Sequence, residues 1–363
     1  MKLRFRALAA VAAFMLGQGA AHAQPPAGEY RVHAIDVGTG LSIFVEGADF
    51  TMLYDAGSRD DHGGGTNNRV LAYLRAVRPG MERIDHVILS HPHQDHHEML
   101  DSVLAAFEVG HVWDSGSVAT SCGYRAFLDA VLAEPNVVYH NAAGEGGTHE
   151  VRFAAASRCH GRARLAATLA LPRGSRISEG TRVDLGAGAR MTFLHASADA
   201  PAGNLNEATV VVRVDLGGRR VLLAGDAEAG GRQAPGTAPA ANSVEGHLIA
   251  CCAPELRADL LVVGHHGSKT SSRIAFLDAV GAGQFVISSG PFAYSGVVLP
   301  DREVLAELGR RGAVWRTDLD DRRCRSNPAK IGRDRRGAGG CDNVLVAVAP
   351  DGTMTSGYHR IAD

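Results

Sequence analysis

The sequence predicts an α/β protein, a four-layer αβ/βα sandwich in which two sheets pack face to face and helices cover the outside. Two observations lead to this prediction. A meander of short strands is followed by alternating helices and strands, and the second half of the chain repeats that order. Several strands also end in histidine or aspartate, at the loop positions where open α/β sheets keep their sites.

The N-terminus has the pattern of a secretory signal peptide. A basic start that includes Lys2 and Arg6 precedes an apolar run at residues 7–16 and an Ala-His-Ala ending at Ala23. The apolar run is too short to span a bilayer, so an uncleaved anchor is the weaker alternative. We expect cleavage near Ala23, a secreted or periplasmic protein, and no membrane span in the mature chain.

Length and composition fit one large domain or two ordinary ones. Of 363 residues, 45% are hydrophobic, which is enough for a sizeable core. The formal net charge of -2 gives no overall attraction to nucleic acid or anionic membranes. We expect residues 1–23 to be a signal peptide and residues 24–363 to be a single domain. Gly/Ala/Pro-rich or basic insertions are expected near residues 142–178, 229–243 and 322–341.

The first half reads as a strand meander followed by alternating elements. Strands are predicted at residues 30–36, 41–46, 50–54, 84–89 and 137–139. Helices are predicted at residues 71–77, 99–107 and 127–132. Residues 142–178 show little periodicity, which predicts an exposed, irregular insertion.

The second half repeats this order. Strands are predicted at residues 182–185, 190–194, 209–215, 220–224, 260–263, 284–288, 313–316, 344–349 and 352–356. Helices are predicted at residues 244–251, 272–279 and 301–310. The basic stretch at residues 322–336 could hold a polyanion or form a solvated loop, and composition does not decide between them.

Six cysteines in an exported chain favour disulfides. We expect the pairs Cys122–Cys159 and Cys324–Cys341, because each would link a loop-rich segment. Cys251 and Cys252 are adjacent and lack the spacing of zinc ligands.

The stretch SHPHQDHHE follows a predicted buried strand and carries four histidines and an aspartate. His91 and His93 alternate by two, so both can point at one metal ion, while Asp95 and His96 can face a second position. Two neighbouring metal ions clamp an in-line displacement. The alternative is a solvated polar loop. His97 is expected to turn away.

Three other strand ends supply what such a site still needs. Asp226 in LLAGDAE can bring in a bridging carboxylate, and His265 in GHHGS can add an imidazole. Asp55 in YDAG can orient a metal-binding histidine from outside. Four strand ends with metal-compatible side chains predict two divalent ions, with zinc preferred and manganese or iron as alternatives.

These motifs resemble the metallo-β-lactamase fold, and within it the metallo-hydrolase domain of the competence protein ComEC. The matching motifs, in chain order, are IDVGTG (35–40), YDAG (54–57), SHPHQDHHE (90–98), NEATVVVRV (206–214), LLAGDAE (222–228), ADLLVVGHHGSKTSS (258–272) and WRTDLD (315–320). The resemblance implies His91 and His93 on one metal. It implies Asp95, His96 and His265 on the other, with Asp226 between them.

Two departures from the family pattern concern the first metal and the substrate. Many members have a histidine on the first metal where this chain has Asn206, as in the ComEC branch, and His195 is a possible substitute. The segment 289–300 lacks the histidine usual in that branch, so His266 or Tyr294 is expected to fill its role. The predicted catalytic residues are therefore Asp95, Asp226 and His266.

The expected function is an exported metal-dependent hydrolase that attacks a small-molecule or nucleic-acid phosphodiester with a metal-bound hydroxide. One alternative is a lactonase or β-lactamase-type hydrolase. A non-catalytic metal-binding accessory protein of DNA uptake or the cell envelope is the other.

Overall fold

The computed structural model describes residues 24–60, 68–153, 166–200, 203–319 and 342–359. Strands in the first half are β1 (Tyr30–Ala34), β2 (Ile43–Glu46), β3 (Thr51–Tyr54), β4 (Arg83–Leu89), β5 (Glu108–Asp114), β6 (Val138–Asn141), β7 (Thr148–Phe153) and β8 (Ala167–Arg176). Strands in the second half are β9 (Arg182–Gly186), β10 (Ala189–His195), β11 (Val211–Leu216), β12 (Arg219–Leu223), β13 (Leu260–Val262), β14 (Gln284–Ile287), β15 (Ala293–Tyr294), β16 (Val297–Val298), β17 (Ala313–Arg316), β18 (Val344–Val348) and β19 (Met354–Tyr358).

The helices connect these strands or extend their ends. They are α1 (Arg69–Val77), α2 (Gln94–His97), α3 (Leu100–Leu104), α4 (Cys122–Ala133), α5 (Val244–Cys252), α6 (Ile274–Val280) and α7 (Arg302–Arg311). Two short 3-10 helices cover Leu205–Ala208 and Gly264–Gly267. No helix in the described ranges is long and apolar enough to cross a membrane.

The strands form two large mixed sheets. The first sheet has ten strands in the order β19-β18-β1-β2-β3-β4-β5-β6-β8-β7, and the second has seven in the order β17-β14-β13-β12-β11-β10-β9. Strands β3 to β6 run parallel, as do β12, β13, β14 and β17. The carboxyl ends of parallel strands meet at one edge of a sheet, and the segments after these strands carry the site.

Three apolar clusters define the layers. Residues such as Met52 and Val212 pack between the two sheets. Leu74 and Phe127 belong to helices that cover the outer face of the first sheet, and Phe276 belongs to the helices on the second. The predicted four-layer αβ/βα sandwich is therefore confirmed.

The prediction of irregular structure across residues 142–178 is wrong. Strands β7 and β8 lie there and pair antiparallel, extending the first sheet. Val151 and Phe153 are buried while Arg152 between them is exposed, which is the period-two pattern of a half-buried strand. The polar residues between these apolar positions hid the pattern.

The loop at residues 229–243 contains neither helix nor strand, as predicted. Its shape depends on Arg273, whose buried guanidinium donates to the carbonyl oxygens of Gly231 and Ala234 at 2.6 and 2.9 Å. The insertion expected near residues 322–341 and the expected signal peptide at residues 1–23 lie outside the described residues.

Cys251 and Cys252 form a disulfide between adjacent residues at the end of α5, which the sequence did not predict. Cys159, Cys324 and Cys341 lie outside the described residues. Both predicted pairs therefore stay predictions.

Candidate metal centre

The predicted site residues come together where strands of both sheets end. Asp55 follows β3, and the histidine-rich loop follows β4. Asp226 follows β12, and His265 and His266 follow β13. The strand ends thus bring together side chains that are far apart in sequence.

Glycine allows the histidine-rich loop to lie against the loop after β3. The amide of Ala56 donates to the carbonyl oxygen of His96 at 2.9 Å, and that of Leu41 donates to the carbonyl oxygen of Asp95 at 2.9 Å. A Cβ on Gly57 would lie 2.1 Å from the His96 nitrogen. No larger residue fits there without moving the loop, which explains the glycine of the YDAG motif.

Asp226 lies between the histidines, and its two carboxylate oxygens face different ones. Oδ2 is 3.6 Å from His91 Nε2 and 3.7 Å from His265 Nε2. Oδ1 is 3.2 Å from His96 Nε2 and 3.7 Å from His266 Nε2. This is the position that a bridging carboxylate requires.

The possible ligand atoms of this site form two groups, and the atoms of each group lie within 4.8 Å of one another. The first group is His91, His93 and Asp226, and the second is Asp95, His96 and His266. The second group differs from the predicted one, because His266 stands where His265 was expected. His265 instead lies on the Oδ2 side of Asp226, with its Nε2 3.5 Å from the Asn206 amide nitrogen.

An unusual backbone separates the two neighbouring histidines. His265 and His266 both have positive φ, 49° and 52°, a left-handed conformation that is unfavourable for residues with a Cβ. Gly267 follows with φ 77°. The turn directs the two imidazoles to opposite oxygens of Asp226.

Four histidines have their Nδ1 atoms held from outside, and their Nε2 atoms face Asp226. The outer partners are Ser90 Oγ for His91 (3.0 Å), Asp55 Oδ2 for His96 (2.8 Å), Glu228 Oε1 for His265 (2.9 Å) and the Ser288 carbonyl oxygen for His266 (2.8 Å). Such outer partners orient the imidazoles of metal sites and fix their tautomers.

The unsatisfied atoms of the site match the needs of a cation. His96 Nε2, His266 Nε2 and Asp226 Oδ1 are buried and have no hydrogen-bond partner among the described residues. His91 Nε2 and His93 Nδ1 face each other at 2.9 Å, an arrangement in which one ring must carry a proton unless a cation binds both. The donor set of imidazoles and carboxylates therefore fits divalent metal ions.

Electrostatics keeps the carboxylates of the site ionised. Burial alone would raise the pKa of Asp226, but the surrounding imidazoles of His96 and His265 outweigh burial and hold the pKa well below its usual range. Burial would likewise raise the pKa of Asp95, but the contact with His266 outweighs burial and lowers it. Two buried, ionised carboxylates supply the charge that a pair of divalent ions would neutralise.

The imidazoles respond to those carboxylates in different ways. Burial lowers the pKa of His91 well below its ordinary value, with the neighbouring His96 adding to the effect. At His96 burial acts in the same direction, but Asp226 and Asp55 outweigh it and raise the pKa well above its ordinary value. A metal ion at His96 would therefore take the place of a proton.

Of three other residues named from the sequence, His195 and His97 belong to neither group, and Asn206 lies next to His265 at the edge of the site. His195 ends β10, and its Nδ1 contacts the Thr209 carbonyl oxygen at 2.7 Å. Asn206 is nearly buried beside His265. His97 is buried against Tyr124, with ring centroids 6.1 Å apart, as expected for a residue that turns away.

Sequence reasoning missed two contacts to the site. Glu228 lies two residues beyond Asp226, and Thr270 Oγ1 also contacts His265 Nδ1, at 2.6 Å. Only the position of Glu228 in LLAGDAE could have suggested its role. Tyr294, named only as a possible substrate contact, donates its hydroxyl hydrogen to Asp95 Oδ2.

Known proteins are similar to this chain in sequence and in fold. Residues 35–133 match the model of the metallo-beta-lactamase superfamily. With the four-layer architecture, this match identifies the metallo-β-lactamase fold. The chain is 23% identical over 292 residues to the uncharacterized protein YcaI of Escherichia coli, covering 80% of this chain but only 29% of that protein.

Two solved structures are also similar. The metallo-beta-lactamase fold protein YhfI of Bacillus subtilis is 14% identical, with a TM-score of 0.44, and the match covers 80% of this chain and 97% of YhfI. The diiron β-hydroxylase CmlA of Streptomyces venezuelae is 17% identical, with a TM-score of 0.41, and the match covers 81% of this chain and 53% of CmlA.

Proposed function

We propose that this protein is an exported metal-dependent phosphodiesterase or nuclease of the ComEC-like kind. The observation that carries the proposal is the position of Asp226, whose two oxygens face two separate groups of metal-compatible side chains. A site with two such groups suits in-line displacement at phosphorus, because one position can serve the attacking oxygen and the other the leaving oxygen.

His91, His93 and Asp226 would hold one divalent ion, and Asp95, His96, His266 and Asp226 the other. When bound, these ions would activate a water molecule and neutralise charge on the phosphate. In the overall reaction the water oxygen bonds to phosphorus, one P–O ester bond breaks, and the leaving alcohol takes up a proton.

The protein groups position these participants. Asp55 fixes the His96 ring through its Nδ1 atom at 2.8 Å. The hydroxyl group of Tyr294 donates its one hydrogen to Asp95 in the second group, and it can transfer that hydrogen bond to a phosphate oxygen when substrate binds. Preorganised donors of this kind favour the transition state over the substrate.

The experiment is a substrate profile of the purified protein after removal of metal and reloading with zinc, manganese or iron. We expect turnover of bis-p-nitrophenyl phosphate and of single-stranded DNA, abolished by a chelator. Turnover of nitrocefin or a simple lactone without phosphodiester cleavage would contradict the proposed substrate class. Stoichiometric metal without any turnover would instead support a non-catalytic metal-binding protein.

Export is the second part of the proposal, and it rests on the sequence of residues 1–23. Cell fractionation and N-terminal sequencing should find a chain that begins at Gln24 outside the cytoplasm. A full-length chain in the cytoplasmic fraction would contradict it.

A further inference from the structure

A row of side chains runs from the second metal-compatible group toward the surface. The rings of His266 and Tyr294 are nearly parallel, with centroids 6.4 Å apart. Phe292 meets Tyr294 edge-on, with centroids 5.2 Å apart. The guanidinium carbon of Arg59 lies 4.6 Å from the centroid of the Phe292 ring. We call Arg59, Phe292 and Tyr294 the mouth wall.

The mouth wall is fixed to the loop at residues 38–40. The amide of Phe292 donates to Thr39 Oγ1 at 2.8 Å, and the amide of Arg59 donates to the Thr39 carbonyl oxygen at 2.7 Å. The two chains approach so closely that a Cβ on Gly290 would lie 2.3 Å from the Thr39 nitrogen. Arg59 and Phe292 are therefore held against each other by a shared support.

Arg59 also contacts the metal-binding loop. Its Nη1 donates to Gln94 Oε1 at 2.9 Å, and Gln94 directly precedes Asp95. These contacts use one nitrogen and one face of the guanidinium group. Arg59 is half-buried and forms no ion pair with any described carboxylate. Its remaining N–H groups can present a planar fork to an anion.

We infer that the mouth wall binds a second anionic group of the substrate, beside the group that is cleaved. The inference rests on the proposed function for the substrate class, and it narrows that class to phosphodiesters with a neighbouring phosphate, such as an oligonucleotide. An arginine stacked on an aromatic ring is preorganised for phosphate, because little side-chain freedom is lost on binding. Tyr294 would contact the phosphate nearer the metals.

The test compares two nucleotides that differ by one phosphate, thymidine 5′-monophosphate and thymidine 3′,5′-bisphosphate. Their dissociation constants are measured by calorimetry on the metal-loaded, full-length protein and on Arg59→Gln. We expect the wild type to prefer the bisphosphate, and Arg59→Gln to reduce that preference about tenfold. Arg59→Lys should reduce it less, since it keeps the charge but loses the planar fork.

Arg190→Gln is the matched control, because Arg190 is exposed and paired with Asp184 on the second sheet at 2.8 Å. It should keep the wild-type preference. Equal binding of both nucleotides by the wild type, or an unchanged preference in Arg59→Gln with wild-type metal content, would overturn the inference. Binding is measured without turnover, so absence of phosphodiester cleavage would count against the proposed function alone.

Discussion

Two groups of histidines, most of them buried, differ in what surrounds them. In the metal centre, imidazoles surround two ionised carboxylates. In the second group, which we call the Trp113 stack, His86, His111 and His140 lie on the parallel strands β4 to β6 with Trp113. Trp113 and His140 stack with ring centroids 3.8 Å apart.

The two groups of histidines differ because carboxylates lie among the rings of the metal centre. In the Trp113 stack, burial lowers the pKa of His86 and of His140 to about 4, so both rings are neutral at pH 7. Trp113 Nε1 donates to His86 Nδ1 at 3.2 Å, and His111 Nδ1 contacts His140 Nε2 at 3.1 Å. In the Trp113 stack, neutral rings that hydrogen-bond to one another need no further partner and can pack in the core. In the metal centre, the carboxylates carry negative charge that a cation would neutralise.

Removing the central carboxylate charge should have the largest effect. Asp226→Asn keeps the shape of the side chain but removes the charge that faces both groups. We expect metal content, measured by elemental analysis, to fall at both positions and turnover to fall at least about a thousandfold. Asp184→Asn, at an exposed ion pair, is the control. Full metal content in Asp226→Asn would refute the bridging role.

The neighbouring histidines give the next test. The structure places His266 in the second group, so His266→Ala should weaken binding of one metal equivalent by more than about a hundredfold, beyond what an outer partner contributes. His265→Ala should weaken binding less, because His265 contacts only the Oδ2 side of Asp226. Competition with a chelator measures both. The opposite order would favour the assignment implied by family resemblance.

A smaller effect is expected outside the ligand set. Asp55→Asn can still accept a hydrogen bond from His96 but no longer carries charge beside it. We expect metal affinity to fall about tenfold, with thermal stability of the metal-loaded protein lowered in parallel. Unchanged affinity would show that the Ser90 hydroxyl, which lies 3.2 Å from His96 Nδ1, orients the ring by itself.

The Trp113 stack should make the free energy of unfolding depend on pH. The unfolded chain binds a proton at His86 below about pH 6.5, whereas the folded protein binds it only near pH 4. The free energy of unfolding should therefore fall as pH drops from about 6.5 to about 4. His86→Asn keeps an acceptor for Trp113 and should remove about 2 kcal/mol of that loss. Denaturant titrations at both pH values measure this difference in the free energy of unfolding. An equal loss of stability in the wild type and in His86→Asn would contradict a buried, neutral His86.

Much of this could be predicted from the sequence because the signals are local. The strand before SHPHQDHHE ends in the apolar run Val87–Leu89, and the strands before Asp226 and His265 also end in apolar runs, so the strand ends and their polar side chains could be predicted. Strand β5 was missed because Gly110 and His111 interrupt its apolar run. Strand β7 was missed because charged residues occupy its exposed positions, and β8 because Pro172 and Gly174 interrupt its pattern.

The orientation of the site's side chains could not be predicted from the sequence. His265 and His266 are adjacent, and only two successive left-handed residues decide which oxygen of Asp226 each faces. The mouth wall joins Arg59 to Phe292 across more than two hundred residues, and no local pattern encodes such a pair. These features depend on how the two sheets pack, which one sequence does not reveal.

The distribution of the ligands along the chain has a consequence for folding. The segment that matches the family model ends at residue 133, before Asp226 and both histidines of GHHGS. A chain folded only that far would have the histidine-rich loop without its bridging carboxylate. Tight metal uptake therefore requires the second sheet to be docked on the first, through contacts between residues distant in sequence. The amount of tightly bound metal then measures how much of the protein has assembled, and not how much of either half has folded.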